Sequence, residues 1–194
     1  MTLHTLATLM ISISDNSATD TLIRVIGQER LAEIVRIAGH HDPAEMYPML
    51  MTRQASALKM PVHAERRDRF LAANPAEREK LLAEFDKALT LESLDLRLLT
   101  SKPNFIDQLE WFATPRDMIR LLAYIDRNAS DETRSLLTVN PGIGQDAARK
   151  WSYFGYKGGS EPGVLSYNFL LRSNAGESYA VSLLWNNEAA SLQD

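Results

Sequence analysis

Two short stretches of the chain carry side chains that could do chemistry together. Ser14–Asn16 (Ser-Asp-Asn) supplies a hydroxyl, a carboxylate and an amide between two predicted helices. Lys157–Ser160 (Lys-Gly-Gly-Ser) supplies a cation and a bare stretch of backbone at the end of a predicted strand. A hydroxyl beside a lysine can relay a proton, and backbone N–H groups can stabilise an oxyanion. Facing each other across a cleft, the two stretches would form an acyl-transfer site.

Each stretch also has an ordinary structural interpretation. Ser14–Asn16 could be a helix-capping turn and nothing more, and Lys157 could be a solvated lysine at a strand end. Matches of three residues arise by chance, so neither stretch decides the function alone. Their occurrence in one chain favours the chemical interpretation of both.

The elements that must position these residues are predicted to be helices first and strands last. Leu6, Leu9, Met10 and Ile13 recur at helical spacing, which predicts that Thr2–Ser14 forms a core helix. This helix leads directly into the Ser-Asp-Asn sequence.

Capping residues and apolar periodicity predict further helices. They cover Asn16–Gly27, Gln28–Ala38, Ala64–Ala73, Pro75–Leu89, a helix that begins at Thr114-Pro115-Arg116-Asp117, and Asp131–Thr138. Asn16 or Ser17 is expected to cap the first of these. The third and fourth are charged and are expected to be exposed amphipathic helices. A loop with Pro43, Pro48 and Pro61 is expected before them.

The C-terminal part is predicted to be a small antiparallel sheet. Trp151–Lys157 is aromatic and strand-like, while Leu165–Leu171 and Tyr179–Trp185 alternate apolar with polar residues. Asn174–Gly176 lies between the last two runs as a hairpin turn. We therefore predict an α+β fold and a single domain over residues 1–194, with a mainly helical part (1–150) before a three-stranded antiparallel meander (151–187).

Composition narrows the class of function. With 45% hydrophobic residues, the 194-residue chain can bury a core. Lys and Arg number 21 against 25 Asp and Glu, and this net charge of -4 argues against a nucleic-acid partner. The chain has no cysteine, which excludes disulfides, thiolate catalysis and cysteine-based metal sites. No apolar run approaches the roughly 18 residues of a membrane span, so none is expected.

Three stretches resemble, in family order, the class A β-lactamase and penicillin-binding-protein group of active-site serine hydrolases, whose motifs are S-x-x-K, S-D-N and K-T-G. MISISDNSATDTLIRVIG at 10–27 resembles the family's SDN loop and the helix after it. WFATPRDMIRLL at 111–122 resembles the Thr-Pro helix beyond the omega loop, and YFGYKGGSEPG at 153–163 resembles the K-T-G strand. The resemblance implies part of a β-lactamase-like α/β sandwich.

The resemblance also implies roles for single residues. Ser14 would relay a proton to the leaving-group nitrogen, and Asp15 would fix the loop by hydrogen bonds. Asn16 would hold a substrate amide. Lys157 would lie near Ser14, lower the cost of its proton transfer and attract a substrate carboxylate.

The glycine strand would contact the substrate through its backbone. Gly159 would allow close approach, and Ser160 would offer its N–H as half of an oxyanion hole. The implied substrate is a β-lactam or a peptidoglycan-like molecule, with no cofactor and no metal. Because the family works mostly outside the cytoplasm, the resemblance also implies a periplasmic or exported protein.

Several departures from the family pattern limit these expectations. No S-x-x-K precedes Ser14, so we expect a C-terminal portion of a longer hydrolase, inactive alone and able to self-associate through uncovered core surface. The literal match Ser56–Lys59 lies on the wrong side of S-D-N and is interpreted as a surface turn or helix rather than a nucleophile. Gly158 replaces the usual threonine or serine, and the Ser160 hydroxyl could compensate.

The deacylating E-x-x-L-N segment is also absent, and the nearby acids Glu92, Asp107 and Glu110 match no motif. Two other interpretations therefore stay open: a non-catalytic relative that binds a ligand or a protein partner, and a helical adaptor with a chance SDN. His40–Asp42 (His-His-Asp) is interpreted as a polar loop rather than a metal site.

Overall fold

The computed structural model describes residues 1–192, as a run of helices followed by three strands. The helices are α1 (Leu3–Ser12), α2 (Asn16–Ile26), α3 (Gln28–Ile37), α4 (Thr52–Leu58), α5 (Ala64–Ala72), α6 (Pro75–Phe85), α7 (Leu96–Thr100), α8 (Pro115–Asn128), α9 (Asp131–Leu136) and α10 (Gln145–Ala148). The strands are β1 (Tyr153–Glu161), β2 (Val164–Arg172) and β3 (Ser178–Asn186). This order confirms the α+β prediction. Within the described residues no helix has the length and apolar content to cross a membrane.

The helix α2 begins at Asn16 as predicted, but its capping residue differs from the prediction. The Asp15 carboxylate accepts a hydrogen bond from the Ala18 N–H over 2.7 Å, so Asp15 is the cap. The expectation that Asn16 or Ser17 caps this helix is wrong, because helical backbone already begins at Asn16. Gly27, at a φ of +83°, ends the helix in a conformation that favours glycine.

The first two helices pack against each other. Leu6, Ala18 and Leu22 are buried in one cluster between them. Ile13 was predicted to share this core face, but its side chain is 68% exposed. The reason is that α1 ends at Ser12, so Ile13 lies outside the helix and does not continue its buried face.

The largest hydrophobic cluster lies under the middle helices. It contains Leu50, Ala55, Ala57, Leu58, Phe70, Leu82, Phe85, Leu89 and Leu109. The expected proline-rich loop therefore includes a buried helix, α4, whose Ala57 and Leu58 are fully inaccessible to solvent. Helices α5 and α6 have the predicted amphipathic character, since each buries phenylalanine on one side. Helix α6 ends at Phe85, before the predicted Leu89.

The sheet has the order β1-β2-β3 with antiparallel pairing throughout. Lys157 lies opposite Asn168, which lies opposite Ser182, so these three residues share one face. We call it the helix-facing face, because Leu170 on it packs with Leu122 of α8 and with Leu137. The sheet thereby presents Lys157 to the helical part of the molecule.

The opposite face of the sheet is aromatic. Phe154, Phe169 and Leu171 are buried there, while the residues of β3 on this face stay largely exposed. The exposed members are Tyr179, Val181, Leu183 and Trp185. The expected self-association through uncovered core surface stays a prediction.

Candidate active site

Ser14 occupies a tight turn between α1 and α2. Its φ of +54° places it in the left-handed region, which is uncommon for a residue with a side chain and is often found at functional sites. The Asp15 N–H donates to Leu9 O over 3.2 Å and closes the turn. The turn leaves the Ser14 hydroxyl at the surface, pointing toward the sheet.

Lys157 meets Ser14 from the helix-facing side of β1. Its Nζ donates a hydrogen bond to Ser14 Oγ over 2.7 Å and also contacts the carbonyl oxygen of Gly158. Burial lowers the pKa of Lys157 below its ordinary value. A lysine with a lowered pKa beside a hydroxyl is the arrangement that proton transfer through the hydroxyl requires.

The other two residues of the Ser-Asp-Asn sequence have different surroundings. The Asp15 carboxylate is engaged by the N-terminus of α2, as described above. Asn16 is the first residue of that helix and is exposed. Ser14 and Asn16 are thus both exposed, while Asp15 holds the loop.

The backbone of β1 offers N–H groups along its free edge. The Tyr156 N–H donates to Leu137 O over 2.8 Å, which lies outside the sheet. Because successive N–H groups of a strand alternate between its two edges, those of Gly158 and Ser160 point to the same free edge. Gly159 N–H faces β2 instead, opposite Ser166. Two donors for an oxyanion are thus available beside Lys157.

The comparisons with known proteins place the chain in a family. A model of the Beta-lactamase enzyme family matches residues 1–191. The chain belongs to the β-lactamase enzyme family. This membership confirms the family prediction. No curated protein matches the chain.

Solved β-lactamases share the fold of this family member at low sequence identity. The enzyme from Streptomyces albus G has a TM-score of 0.58 at 13% identity, over 99% of this chain and 58% of its own. The enzyme from Sphaerobacter thermophilus has a TM-score of 0.56 at 20% identity, over 99% and 57%. A mutant chromosome-encoded β-lactamase of Vibrio parahaemolyticus has a TM-score of 0.55 at 13% identity, over 97% and 58%. The chain thus spans somewhat under three fifths of the length of these β-lactamases.

The resemblance to the K-T-G motif predicts a threonine or serine at position 158, and the surroundings of Gly158 explain why a glycine is accommodated there. A Cβ added at Gly158 would collide with the hydroxyl end of Tyr156 and would lie 3.1 Å from the Ser166 carbonyl oxygen. Tyr156 therefore fills the space that a threonine side chain would take. Its phenol lies on the same face as Ser160, so two hydroxyl groups flank Gly158.

The literal S-x-x-K match does not have the surroundings of a nucleophile. Ser56–Lys59 lies in and just after α4, which confirms the helix interpretation, but Lys59 is buried, so the expected surface position is wrong. The Lys59 ammonium binds Glu161 over 2.9 Å and also contacts Glu110. Because the side chains of Glu110 and Glu161 hold its Nζ, Lys59 is not free to take a proton from Ser56.

The three acids singled out in the sequence differ in burial. Glu92 and Asp107 are exposed, whereas Glu110 is mostly buried. Burial, together with the neighbouring Glu161, raises the pKa of Glu110 to about 8 against the opposing effect of Lys59. Glu110 therefore keeps its proton near neutral pH. Its contacts lie at the end of β1 and not at Ser14.

The histidine pair contacts an acid that lies outside the His-His-Asp sequence. His41 Nδ1 lies 2.8 Å from an oxygen of the buried Asp117, while Asp42 lies outside this contact. The ligand atoms of His40, His41 and Asp117 lie within 4.8 Å of one another, so these residues could hold a metal ion. They are already satisfied without one, since His40 Nε2 bonds Phe112 O over 2.8 Å.

Asp117 has its own structural task in α8. Burial alone would raise the pKa of Asp117, but hydrogen bonds from Thr114 and His41 hold it well below its usual range. Thr114 and Asp117 form the capping box that the sequence predicted.

Two residues of the site were missed by sequence reasoning. Tyr156 was seen only as an aromatic strand residue. Asn168 was seen as the polar partner in an alternating strand, yet it is buried opposite Lys157. Its side chain donates to Ser166 Oγ over 2.7 Å and accepts from Ser182 Oγ over 2.8 Å. An asparagine inside an apolar run was the available signal, because such an amide needs buried partners.

Proposed function

We propose that this chain provides the proton-relay side of an acyl-transfer site in a β-lactamase-like serine hydrolase. Ser14 carries a proton toward the leaving-group nitrogen, and Lys157 tunes that hydroxyl and attracts a substrate carboxylate. The observation that supports this proposal best is the 2.7 Å hydrogen bond between Lys157 Nζ and Ser14 Oγ. This bond joins a lysine whose pKa is lowered to a serine whose backbone is in the left-handed region, and the two residues come from distant parts of the chain.

The proposed substrate is a β-lactam or a related amide or ester, including peptidoglycan-like molecules. Asn16 holds the substrate amide, and Gly159 allows the substrate to approach the strand. Ser160 donates its N–H to the oxyanion, which forms when the carbonyl is attacked. We further propose a periplasmic or exported location, as the family resemblance implies.

We also propose that the acylated serine is not Ser56. Its neighbour Lys59 is bound to carboxylates, and Ser56–Lys59 is the one S-x-x-K match in the 194 residues. The nucleophile then belongs to a segment other than these residues. The isolated chain is accordingly proposed to be inactive.

Intact mass after penicillin treatment tests the proposal, together with turnover of a chromogenic cephalosporin. The 194-residue chain should be compared with a form extended by the residues encoded before Met1. We expect no adduct on the chain itself and one adduct on the extended form. In the extended form, S14A and K157M should abolish turnover, whereas S56A should leave it unchanged. A stoichiometric adduct at Ser56 would refute the proposed roles.

A non-catalytic relative that binds a ligand or a partner is the second candidate. The observation that favours it is the position of Glu110, which contacts Lys59 instead of standing near Ser14 as a base for deacylation. An extended form that binds penicillin without adduct or turnover would support this candidate over the first.

A further inference from the structure

A buried ion cluster joins three separate segments beside the end of β1. Lys59 follows α4, Glu110 precedes α8, and Glu161 is the last residue of β1. The Lys59 Nζ donates to Glu161 Oε2 over 2.9 Å and also contacts Glu110 Oε1. Only 4% of the Lys59 side chain is exposed, so water screens these charges weakly.

Other contacts press the same part of the sheet against the helical part. The Asn104 side chain donates to Lys59 O over 3.3 Å. Gly163, in the turn between β1 and β2, has no room for a Cβ, because Pro103 would lie 2.7 Å away and the Asn187 carbonyl oxygen closer still. The tip of the hairpin is therefore held by residues 103–110 as well as by strand pairing.

The cluster lies next to a proposed catalytic group. Ser160 immediately precedes Glu161, and its N–H points to the free edge of β1. Pairing with β2 holds this part of the strand from one side only, within the residues that the structure describes. The hydrogen bond between Glu161 and Lys59 attaches this part of the strand to the helical part as well.

We propose that Lys59 is a positioning residue for the oxyanion donor: by binding Glu161 it fixes the end of β1 and so the direction of the Ser160 N–H. Glu110 ties the same ammonium to the segment before α8. Buried ion pairs contribute little net stability, and in some proteins they serve to specify geometry. The role of Ser160 rests on the proposed function, whereas the hold on the strand does not.

Amide exchange measured by NMR on the 194-residue chain tests the hold directly. K59M removes the charge and K59R retains it, while R69M breaks the exposed Arg69–Glu84 pair as a matched control. We expect K59M to speed exchange at Glu161 and Val164 by on the order of tenfold. K59R and R69M should exchange as the wild type does.

The exchange rate at the far end of the same strand distinguishes local positioning from general destabilisation. In K59M, exchange at Gly155 should stay at the wild-type rate. No change at Glu161, or an equal increase at both ends of β1, would overturn the proposal. Should K59M fail to fold, E161Q removes the same ion pair from the other side, and the same local increase is expected.

A second measurement links the hold to the site. Benzylpenicillin titrated into the chain should shift the Ser160 amide resonance, more weakly in K59M and again fully in K59R. A wild-type chain whose Ser160 resonance does not move would count against the proposed function. The exchange rates would still decide whether Lys59 positions the strand.

Discussion

Lys157 Nζ donates a hydrogen bond to Ser14 Oγ over 2.7 Å, across 143 positions of sequence. Ser14 comes from a turn between two helices, and Lys157 comes from the middle of a strand. The contact therefore forms only when the sheet docks on the helical part. Any measurement on this pair reports on the assembled site.

Removing the Ser14 hydroxyl should lower the pKa of Lys157 further. Burial already disfavours the ammonium, and the hydroxyl oxygen partly compensates by accepting a hydrogen bond from it. NMR titration of the lysine Nζ should therefore show a lower pKa in S14A than in the wild type. S17A, which removes another exposed hydroxyl nearby, should leave the pKa unchanged. A raised pKa in S14A would show that the hydroxyl does not stabilise the ammonium.

Replacing Asp15 should destabilise the chain through the cap of α2. The Ala18 N–H loses its acceptor in D15A, which should lower the free energy of unfolding by about 1 kcal/mol. D15N keeps an acceptor oxygen and should lie within a few tenths of a kcal/mol of the wild type, by the same cap ranking. Urea unfolding measures both. Equal losses in the two variants would mean that the charge of Asp15, and not the cap, is what matters.

The fold was predictable where the signals are local. Thr114 and Asp117 are three positions apart and predict the start of α8 without any knowledge of packing. The strands likewise follow from alternation within nine residues. Helix α4 was not predicted, because it is short and lies among prolines. The burial of Ala57 depends on other segments and leaves no local pattern.

The site was predictable in its residue types but not in its connections. Ser14 and Lys157 were paired by the chemistry of their side chains and by the family resemblance, and not by any local pattern. The pair of Lys59 and Glu161 spans 102 positions and has no local pattern, so only the folded chain reveals it. The same holds for Tyr156, whose role follows from the missing side chain at Gly158.

The stability of the chain should fall as the pH rises through the range in which Glu110 titrates. Its pKa is raised from 4.5 to about 8 by burial and Glu161, so between these values the folded chain keeps a proton that the unfolded chain has lost. The unfolding free energy then decreases with pH, by at most about 1.4 kcal/mol per unit. E110Q has no titrating group at position 110, so its unfolding free energy should depend less on pH across this range. At pH 8 that free energy should exceed the wild-type value.

Urea unfolding at several pH values between 5 and 9, roughly the window of this titration, checks the effect. E92Q alters an exposed glutamate and should keep the wild-type slope. E161Q removes one cause of the raised pKa and should move the upper end of the slope to lower pH. A wild-type chain whose stability rises over this range would contradict the assigned direction.

Restoring a threonine at position 158 should destabilise the chain because of Tyr156. G158T places a Cβ against the Tyr156 hydroxyl, and such overpacking costs about 1–3 kcal/mol. Y156A opens that space, so the double variant should lose less stability than the two single losses combined. A double-mutant cycle of unfolding free energies measures this coupling. Additive losses would show that the Tyr156 ring does not exclude a side chain at Gly158.

A proline at position 160 should remove the proposed oxyanion donor without unfolding the sheet. The Ser160 N–H faces the free edge of β1, so S160P removes no bond to β2 and should leave the sheet intact. G159P is the matched control, because the Gly159 N–H faces Ser166 of β2 and its loss should unfold the hairpin. In an extended form that turns over cephalosporin, S160P should cost about 10²–10³ in kcat, whereas S160A keeps the N–H and should retain most activity. Circular dichroism and kinetics together check the prediction, and full activity in a folded S160P variant would mean that the oxyanion is bound elsewhere.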